Sequence, residues 1–254
     1  MVHWFALLAA NAVPALGWFA ADWSPATTLV VYWFETAVGL VAIYLRGVLN
    51  QRWKPQRGHF EYEGTQSRGV RARGSFIKNF GFITFVFTAA HGFFIAVIVL
   101  ILTNNGHADV VNLSWRSVGF GCLQILAIMA VDFFTDLPYL RTWTFRHLEQ
   151  TANQSFGRIA VIHLALIFGM FIAAITDSPA RMFSVFVVIK TLFSLSTALP
   201  QHTPAAPPAW LSRAMNRIRP EPVGKRFEDE WAADQAAEVK RLERNDKPWN
   251  PTWR

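Results

Sequence analysis

A single carboxylate inside a long apolar segment is the feature that most constrains the fold of this chain. Glu35 lies within residues 24–49, which are almost wholly apolar as far as Arg46, and a helix of about 20 such residues crosses a bilayer. At about 1.5 Å per residue from Pro25, Glu35 lies about 15 Å deep, near the midplane. Because an unpaired charge at that depth costs at least about 3 kcal/mol, we expect Glu35 to face protein or enclosed water and to need a partner.

The composition favours a membrane protein. Hydrophobic residues make up 52% of the chain and charged residues 16%, and the apolar residues occur in long runs instead of short periodic stripes. A net charge of +7 could indicate a nucleic-acid partner, but the basic residues lie between and after the apolar runs, where a membrane protein carries them. The sequence therefore predicts an all-α polytopic protein that contacts the lipid bilayer and no nucleic acid. The single cysteine, Cys122, excludes a disulfide within the chain.

Six apolar segments predict six transmembrane helices. Their approximate bounds are 3–21, 24–49, 80–102, 115–134, 156–175 and 180–199. They form a membrane domain over residues 1–200, in which residues 50–78 are a basic cytoplasmic loop. Ser24 and Pro25 open the second span as an N-cap and a first-turn proline. No Lys or Arg precedes the first span, so we expect a retained helix and not a signal peptide.

The Lys and Arg residues predict the orientation. Apart from Lys190, which lies inside the sixth span, only Arg116 and Arg181 fall on the side of the shorter connections. The remaining basic residues lie in or beside the 50–78 loop, the connection between the fourth and fifth spans, and the tail. Because cytoplasmic segments carry the excess of Lys and Arg, we place both termini in the cytoplasm.

Residues 201–254 form a cytoplasmic tail whose first predicted helix covers residues 209–219. Apolar residues, among them Trp210, fall on one side of this helix, and arginines, among them Arg213 and Arg217, surround them. This pattern is typical of a short helix that lies on an anionic membrane surface. An ordinary polar linker is the alternative interpretation.

A second apolar stripe runs through residues 225–244 of the tail and includes Trp231. On a helix of mixed charge, such a stripe predicts packing against the protein's own loops or against a partner. Trp249 and Trp253 follow near the C-terminal end, and we expect these tryptophans to dock as well.

Three ionisable residues on three predicted helices, Glu35, His91 and Lys190, lie about 15 to 20 Å from the outer ends of their spans. In a structural interpretation, Glu35 and Lys190 form a buried salt bridge and His91 is a satisfied core histidine. In a functional interpretation, the three outline a proton or ion path or a reaction site, which is what ionisable residues inside a membrane often mark. Lys190 disfavours a metal cage at this depth, because its ammonium repels a cation.

Asp132, Asp136 and His163 form a second layer nearer the predicted cytoplasmic face. The two aspartates are four residues apart and share a helical face, and carboxylates together with an imidazole can bind a divalent metal ion. In the alternative interpretation the aspartates pair with basic residues at the interface. Those basic residues are Arg141, Arg146 and Arg158.

Histidines on two different helices, His91 and His163, also permit a haem hypothesis, since histidine is a common axial ligand of haem iron. Other cofactor and nucleophile patterns are absent from the sequence. No HExxH motif and no GxSxG motif occurs, which disfavours a zinc protease and a serine hydrolase of the familiar types.

Four short motifs resemble those of a bacterial family of polytopic membrane proteins catalogued as a domain of unknown function. They are Tyr32-Trp33-Phe34-Glu35, His91-Gly92-Phe93-Phe94, the run from Arg158-Ile159 through His163-Leu164 to Gly169, and Lys190-Thr191. The resemblance covers about residues 4–200 and implies a bacterial cytoplasmic membrane protein in which the ionisable residues of these motifs act as a set. The chain departs from the family pattern at Thr36, where asparagine is expected, and lacks an acidic residue shortly after Lys190. The resemblance implies no known activity.

Three functions are open at this point. The first is a membrane protein whose interior Glu, His, Asp and Lys residues bind a metal ion, a proton or a small ligand, in transport or in a membrane enzyme. The second is an accessory subunit of a larger membrane complex, which the 11 Trp and 22 Phe residues favour. The third is a haem-bearing electron carrier. Six spans without an internal repeat are few for a self-sufficient carrier.

Overall fold

The computed structural model describes residues 2–64, 74–104, 112–157, 184–185, 187–193, 204–218 and 226–250. Within these residues the regular structure is helical and no β-strand occurs, although an isolated antiparallel bridge joins Gln56 to Pro248. The predicted all-α class is confirmed for this part of the chain.

The helices differ widely in length. In chain order they are α1 (Val2–Ala20), α2 (Pro25–Trp53), α3 (Arg57–Phe60), α4 (Phe76–Asn104), α5 (Trp115–Asp136), the helical residues 145–157 (α6) and 187–193 (α7), α8 (Ala209–Ile218) and α9 (Phe227–Asp246). A 3-10 turn, Leu137–Arg141, follows α5 directly.

Three helical stretches of the described residues are long and apolar enough to cross a membrane. They are Pro25–Trp53, Phe76–Val97 and Trp115–Arg141. They coincide with the second, third and fourth predicted spans, and α1 contains a shorter apolar stretch, Leu8–Ala20. The fifth predicted span, 156–175, lies almost entirely outside the described residues, as does much of the sixth, 180–199. The number of six spans therefore stays a prediction.

Serine side chains cap two of the membrane helices at their N-termini. Ser24 Oγ accepts a hydrogen bond from the Thr27 backbone N at 3.1 Å, and Pro25 follows as the first helical residue. Ser114 Oγ accepts one from the Ser117 backbone N at 3.3 Å. The prediction for the start of α2 is confirmed, and both caps satisfy backbone N–H groups that have no partner within the helix.

The chain divides into two compact units. The first contains Met1–Lys54, Ile77–Trp143 and His147–Leu199, and the second contains Pro55–Phe76, Thr144–Arg146 and Pro200–Arg254. This division differs from the predicted boundary at residue 200, because the loop after α2 belongs with the tail.

In the first unit, α1 packs on both α2 and α5. Helices α2 and α5 run parallel: near their starts the Ser114 backbone N donates to Thr27 Oγ1 at 3.1 Å, and near their ends Asn50 Nδ2 donates to the Leu140 carbonyl at 2.7 Å. Helix α4 runs antiparallel to α2, and large side chains of α2 separate the two backbones. Tyr44 lies against Gly81, and a Cβ at that glycine would come 2.7 Å from the Tyr44 ring.

Trp23, in the turn between α1 and α2, packs where two glycines leave space for its ring. A Cβ at Gly17 of α1 would lie 2.2 Å from the ring, and a Cβ at Gly121 of α5 would lie 2.7 Å from it. Val31 of α2 borders the same space, 3.2 Å from the Cβ position of Gly121. The close approach of the three helices at this end therefore depends on the absence of side chains at these positions.

In the second unit, the end of α9 docks on residues 55–64, and Glu63 is the centre of the contact. Arg244 Nε lies 2.8 Å from Glu63 Oε2, and an Arg57 guanidinium nitrogen lies 3.3 Å from Oε1. The Asn245 side chain forms two hydrogen bonds with the Glu63 backbone. Its Nδ2 donates to the carbonyl at 3.0 Å, and its Oδ1 accepts from the backbone N at 3.2 Å. The tail and the basic loop thus form one folded body.

The core of the second unit is a buried aromatic cluster around Phe145. The ring centroids of Phe145 and His59 are 5.2 Å apart, and those of Phe145 and Phe76 are 5.3 Å apart. His59 is fully buried and its Nδ1 accepts a hydrogen bond from the Gln56 backbone N at 3.0 Å. Burial lowers the pKa of His59 from 6.5 to about 4, because the charged ring would lose its hydration.

Two glycines of α5 form a matched pair for testing the packing of Trp23. We expect Gly121→Ala to destabilise the protein by about 1 to 3 kcal/mol, because the new methyl group overlaps the Trp23 ring. Gly119 has nothing within 4 Å of its Cβ position, so Gly119→Ala is expected to leave stability unchanged or raise it slightly through helix propensity. Thermal unfolding in detergent measures both, and equal midpoints would contradict the packing described for Trp23.

The second unit is expected to lose stability in acid. The pKa of His59 is lower in the folded state, so the unfolded chain binds more protons between pH 6.5 and pH 4. Stability is complete above pH 6.5 and falls by about 3 kcal/mol as the pH drops to 4. Hydrogen exchange of residues 55–64, corrected for its intrinsic pH dependence, measures this loss. In His59→Asn, whose Oδ1 can replace Nδ1 as acceptor, exchange is expected to be nearly independent of pH over this range.

Candidate functional site

A buried ion pair joins α2 to α7 in the first unit. Lys190 Nζ donates to Glu35 Oε2 and, at 3.1 Å, to Asn11 Oδ1 of α1. The ammonium also lies 3.7 Å from the centre of the Tyr32 ring, a cation–π contact. The residues Glu35, Lys190, Asn11 and Tyr32 are each less than 9% exposed, so three helices share this polar cluster inside an apolar surrounding.

The cluster forms because α1, α2 and α7 contribute complementary groups at the same level. Tyr32 and Glu35 are three residues apart on α2 and so lie on one face, toward α7. On that side Tyr32 packs with Val187, which is also fully buried, and Val187 is one turn before Lys190. Apolar packing thus fixes the register that brings the ammonium to the carboxylate.

His91, the third residue of the predicted midplane set, has a different environment. Its Nδ1 lies 2.8 Å from the Phe87 carbonyl of the same helix, and its ring stacks on Phe87 with centroids 5.0 Å apart. The structure therefore brings Glu35 and Lys190 together, whereas the contacts described for His91 are with Phe87 of its own helix.

A second buried charge cluster joins α2 to α5. One guanidinium nitrogen of Arg46 lies 2.7 Å from Asp132 Oδ2 and 3.1 Å from Asp136 Oδ2. The guanidinium also lies 5.3 Å from the centre of the Phe133 ring. Arg46 is 3% exposed and Asp132 is 9% exposed. One guanidinium nitrogen thus contacts two carboxylates that lie four residues apart on α5.

The two clusters lie on one face of α2. Arg46 follows Glu35 by eleven residues, which is about 16 Å of rise and only about 20° of rotation from the same direction. Asn50, fully buried, continues this face by one more turn. Gly39 lies between the clusters, and its Cβ position is 3.5 Å from Met129 of α5. Polar groups thus occupy two levels of a single helix face, with an apolar stretch between them.

The metal prediction remains a prediction, because His163 lies outside the described residues. The carboxylates of Asp132 and Asp136, which were predicted as ligands, both contact Arg46, and the buried carboxylate of Glu35 contacts Lys190. Within the described part of the chain, no group of three or more His, Cys, Asp or Glu residues could hold a metal ion. The haem hypothesis also depends on His163 and is untested for the same reason.

The remaining predicted contact residues belong to the second unit. Trp249 stacks on Phe60 of the loop with ring centroids 4.7 Å apart, and its backbone N donates to the Pro55 carbonyl at 3.0 Å. Trp253 lies outside the described residues. The other four residues lie on α8 and α9. They are Trp210, Arg213, Arg217 and Trp231.

Sequence reasoning missed the roles of Arg46 and Asn11. Arg46 was counted with the positive residues of the cytoplasmic loop, and Arg141, Arg146 and Arg158 were named as alternative partners of the aspartates. The signal that could have found Arg46 is its spacing from Glu35, which puts both charges on one helix face. Asn11 carries no comparable signal, because its role depends on which helix packs against α1.

Together these features define an all-helical protein with candidate membrane-spanning helices and two buried charge clusters. The chain belongs to the family of unknown function DUF6498, whose model matches residues 2–209. The expected membership of a family of unknown function is confirmed, and the match includes both clusters. No curated protein and no solved structure is significantly similar to the chain.

The Arg46 cluster yields a stability prediction. Arg46→Met is expected to destabilise the protein by about 3 to 5 kcal/mol, because it leaves two buried carboxylates without their cation. Asp132→Asn is expected to cost less, since Asp136 still balances Arg46. Adding Asp132→Asn to Arg46→Met is expected to recover part of the loss, and thermal unfolding in detergent measures the cycle. Strict additivity of the two changes would contradict the pairing.

Proposed function

We propose that the protein is a six-span protein of the bacterial cytoplasmic membrane with both termini in the cytoplasm. Helix directions support this topology. Lys190 contacts Glu35 and Val187 packs with Tyr32, so α7 runs parallel to α2, and α2 runs parallel to α5. If α5 and α7 both cross the membrane in the same direction, the chain must cross back between them. Residues 158–183 include the apolar segment that would make this crossing.

The distribution of basic residues supports the same orientation. In this topology only Arg116 and Arg181 lie on the outer side, and the loop and tail carry most of the remaining Lys and Arg residues. Retention of this excess on the cytoplasmic side is the general rule for helical membrane proteins. The lipid bilayer is then the principal environment of the first unit.

We further propose that the Glu35–Lys190 pair binds and releases a proton, in transport or in a reaction within the membrane. The single observation that supports this proposal most strongly is that Lys190 has partners besides Glu35. When a proton neutralises Glu35, the ammonium keeps the Asn11 side-chain oxygen at 3.1 Å and the Tyr32 ring at 3.7 Å. Protonation of Glu35 therefore does not leave the Lys190 ammonium without a partner in the membrane. An ammonium without a partner there would make the protonation too costly.

A proton fits the described clusters better than a metal ion does. Each buried carboxylate of the first unit named above already faces a cation, so a metal ion would have to displace an ammonium or a guanidinium. A proton binds directly to a carboxylate oxygen, so it needs no set of ligands and displaces neither the ammonium nor the guanidinium.

An accessory subunit is the second candidate, and the surface of α4 favours it. Several large aromatic side chains of this helix are strongly exposed in the described structure. They are Phe82, Phe85, Phe93 and Phe94, each 64% to 74% exposed. Lipid can cover such a face, but another membrane subunit would cover it with closer packing. Association of the intact protein with a partner in mild detergent, lost on changing two of these residues to leucine, would favour this function.

The proton proposal predicts that Glu35→Gln separates stability from activity. Glutamine keeps the shape of a neutral carboxyl group but cannot bind the proton, and Lys190 keeps its contacts with Asn11 and Tyr32. In proteoliposomes containing a pH-sensitive dye, we expect the wild-type protein to move protons under an imposed pH gradient and Glu35→Gln to lose at least about 90% of this flux, a tenfold effect of about 1.4 kcal/mol. Thermal unfolding of the variant is expected to remain close to that of the wild type.

The matched control is Cys122→Ala, which changes a partly buried residue of α5 outside both clusters and is expected to leave the flux unchanged. Full flux in Glu35→Gln would contradict a proton-transfer role for the carboxylate. Absence of flux in the wild-type protein, together with restored stability in the double variant Glu35→Gln/Lys190→Met relative to either single change, would show that the pair only holds the helices together.

A further inference from the structure

A cleft of about 740 Å³ lies between α8 and α9 in the second unit. Three arginines line it, Arg213 and Arg217 from α8 and Arg226 from the start of α9. Its volume falls in the range of small-molecule sites. The cleft is separate from both buried charge clusters of the first unit, and the proposed proton chemistry does not use it.

The charge of the cleft favours an anion. Glu228 is the acidic residue among its lining, so three arginines against one carboxylate leave a formal charge of +2. A hydrogen bond from its own backbone N–H and one from Asn216, at 3.2 Å, lower the pKa of Glu228. This carboxylate therefore stays charged at neutral pH and accepts a hydrogen bond from the Asn216 amide. It also lies 3.7 Å from Arg226 Nε, so the positive excess is that of Arg213 and Arg217.

The cleft also contains neutral hydrogen-bond donors. Ser212 is 6% exposed and lies in the lining. The Nε1 of Trp231, which also lines the cleft, is buried and has no hydrogen-bond partner within the described residues. The guanidinium groups of the arginines, together with the Ser212 hydroxyl and the Trp231 indole N–H, match the several acceptor oxygens of a phosphate group.

The exposed face of α8 indicates that such a phosphate would belong to a membrane lipid. Trp210 and Ile218 are 67% and 72% exposed, although both are large and apolar. Arg213 and Arg217 lie on the same exposed arc, at helical spacing from Trp210. Tryptophan and an aliphatic residue flanked by arginines are typical of a helix that lies in the interface of an anionic bilayer.

The length of the preceding chain keeps this helix near a membrane. Residues 200–208 separate the predicted end of the sixth span from α8, and so few residues reach at most about 30 Å. Basic residues within that distance of the cytoplasmic leaflet are attracted to its anionic lipids.

We propose that the α8–α9 cleft binds the phosphate headgroup of an anionic phospholipid, with Trp210 and Ile218 inserted at the acyl boundary. Arg213 and Arg217 contact the phosphate from α8 and Arg226 from α9. The site rests on the membrane topology proposed above but not on the proton chemistry. Occupation by lipid fixes α8 on the bilayer surface and closes the cleft from the membrane side.

Hydrogen exchange of residues 209–218 tests the proposal in the full-length protein in lipid nanodiscs. We expect protection when the nanodiscs contain phosphatidylcholine with about 30% phosphatidylglycerol, and little with phosphatidylcholine alone, because the arginines need an anionic lipid. Titrating the phosphatidylglycerol fraction shows how much anionic lipid the protection requires. Arg213→Gln/Arg217→Gln is expected to weaken the lipid contact about 30-fold, since each basic residue at the surface contributes about fivefold, so that residues 209–218 stay largely unprotected at about 30% phosphatidylglycerol.

The control variant Lys240→Gln/Lys247→Gln removes the same charge from exposed positions of the tail outside the cleft lining and is expected to change the titration at most about threefold by long-range attraction. Equal protection in both lipid compositions would overturn the proposal in favour of apolar docking alone. Protection by inorganic phosphate added to phosphatidylcholine nanodiscs would overturn it in favour of a soluble phosphate ligand. Co-migration of the protein with nanodiscs of either composition tests insertion separately, so a failure of the membrane topology is distinguishable from a failure of the lipid site.

Discussion

The pairing of Glu35 with Lys190 is the interaction on which the first unit depends. A carboxylate near the middle of an apolar helix requires a cation, and Lys190 is a charge with the same requirement on another helix. Satisfying both at once fixes the rotation and the level of α7 against α2, and Asn11 brings α1 to the same point. Apolar packing alone would specify that arrangement less sharply, because lipid is as apolar as the helix surfaces.

The second cluster couples two helices in the same way, about 16 Å further along α2. Arg46 sets the register of α5 against α2 through Asp132 and Asp136, and glycines near Trp23 allow the same helices to approach closely at their other end. In both clusters the charged side chains pair across helices, so charges that are costly in lipid specify which helices pack together. The clusters differ in their groups: an ammonium contacts one carboxylate at Glu35, and a guanidinium contacts two carboxylates at Arg46.

The sequence predicted those features that depend on one helix at a time. Hydropathy indicated α2, α4 and α5, and Ser24 with Pro25 indicated the start of α2, because length, polarity and capping are local properties. Which residues on other helices the buried charges contact was harder to predict. The structural interpretation paired Glu35 with Lys190, but Arg46, near the end of the predicted second span, was counted only as a basic residue of the cytoplasmic side. Its contact with Asp132 and Asp136 depends on which helix packs against α2.

The second unit shows a similar limit. The apolar stripe of α9 predicted docking, but not that Glu63 of the basic loop would be the acceptor for Arg244 and Asn245. Contacts between segments so distant in sequence depend on the path of the chain, which local patterns do not encode. Trp249 was expected to dock on something, and its contact with Phe60 joins the end of the tail to the loop.

Infrared difference spectroscopy of the purified protein is the most direct test of whether the buried pair exchanges a proton. A protonated carboxyl group gives a carbonyl band that is well separated from that of a carboxylate. If the pair binds a proton, titration in the accessible pH range will reveal such a band, and the band will be absent from Glu35→Gln and shifted by carbon-13 labelling of glutamate. If no carboxyl band assignable to Glu35 appears at any pH at which the protein stays folded, the pair is a fixed structural bridge and the proton proposal is wrong.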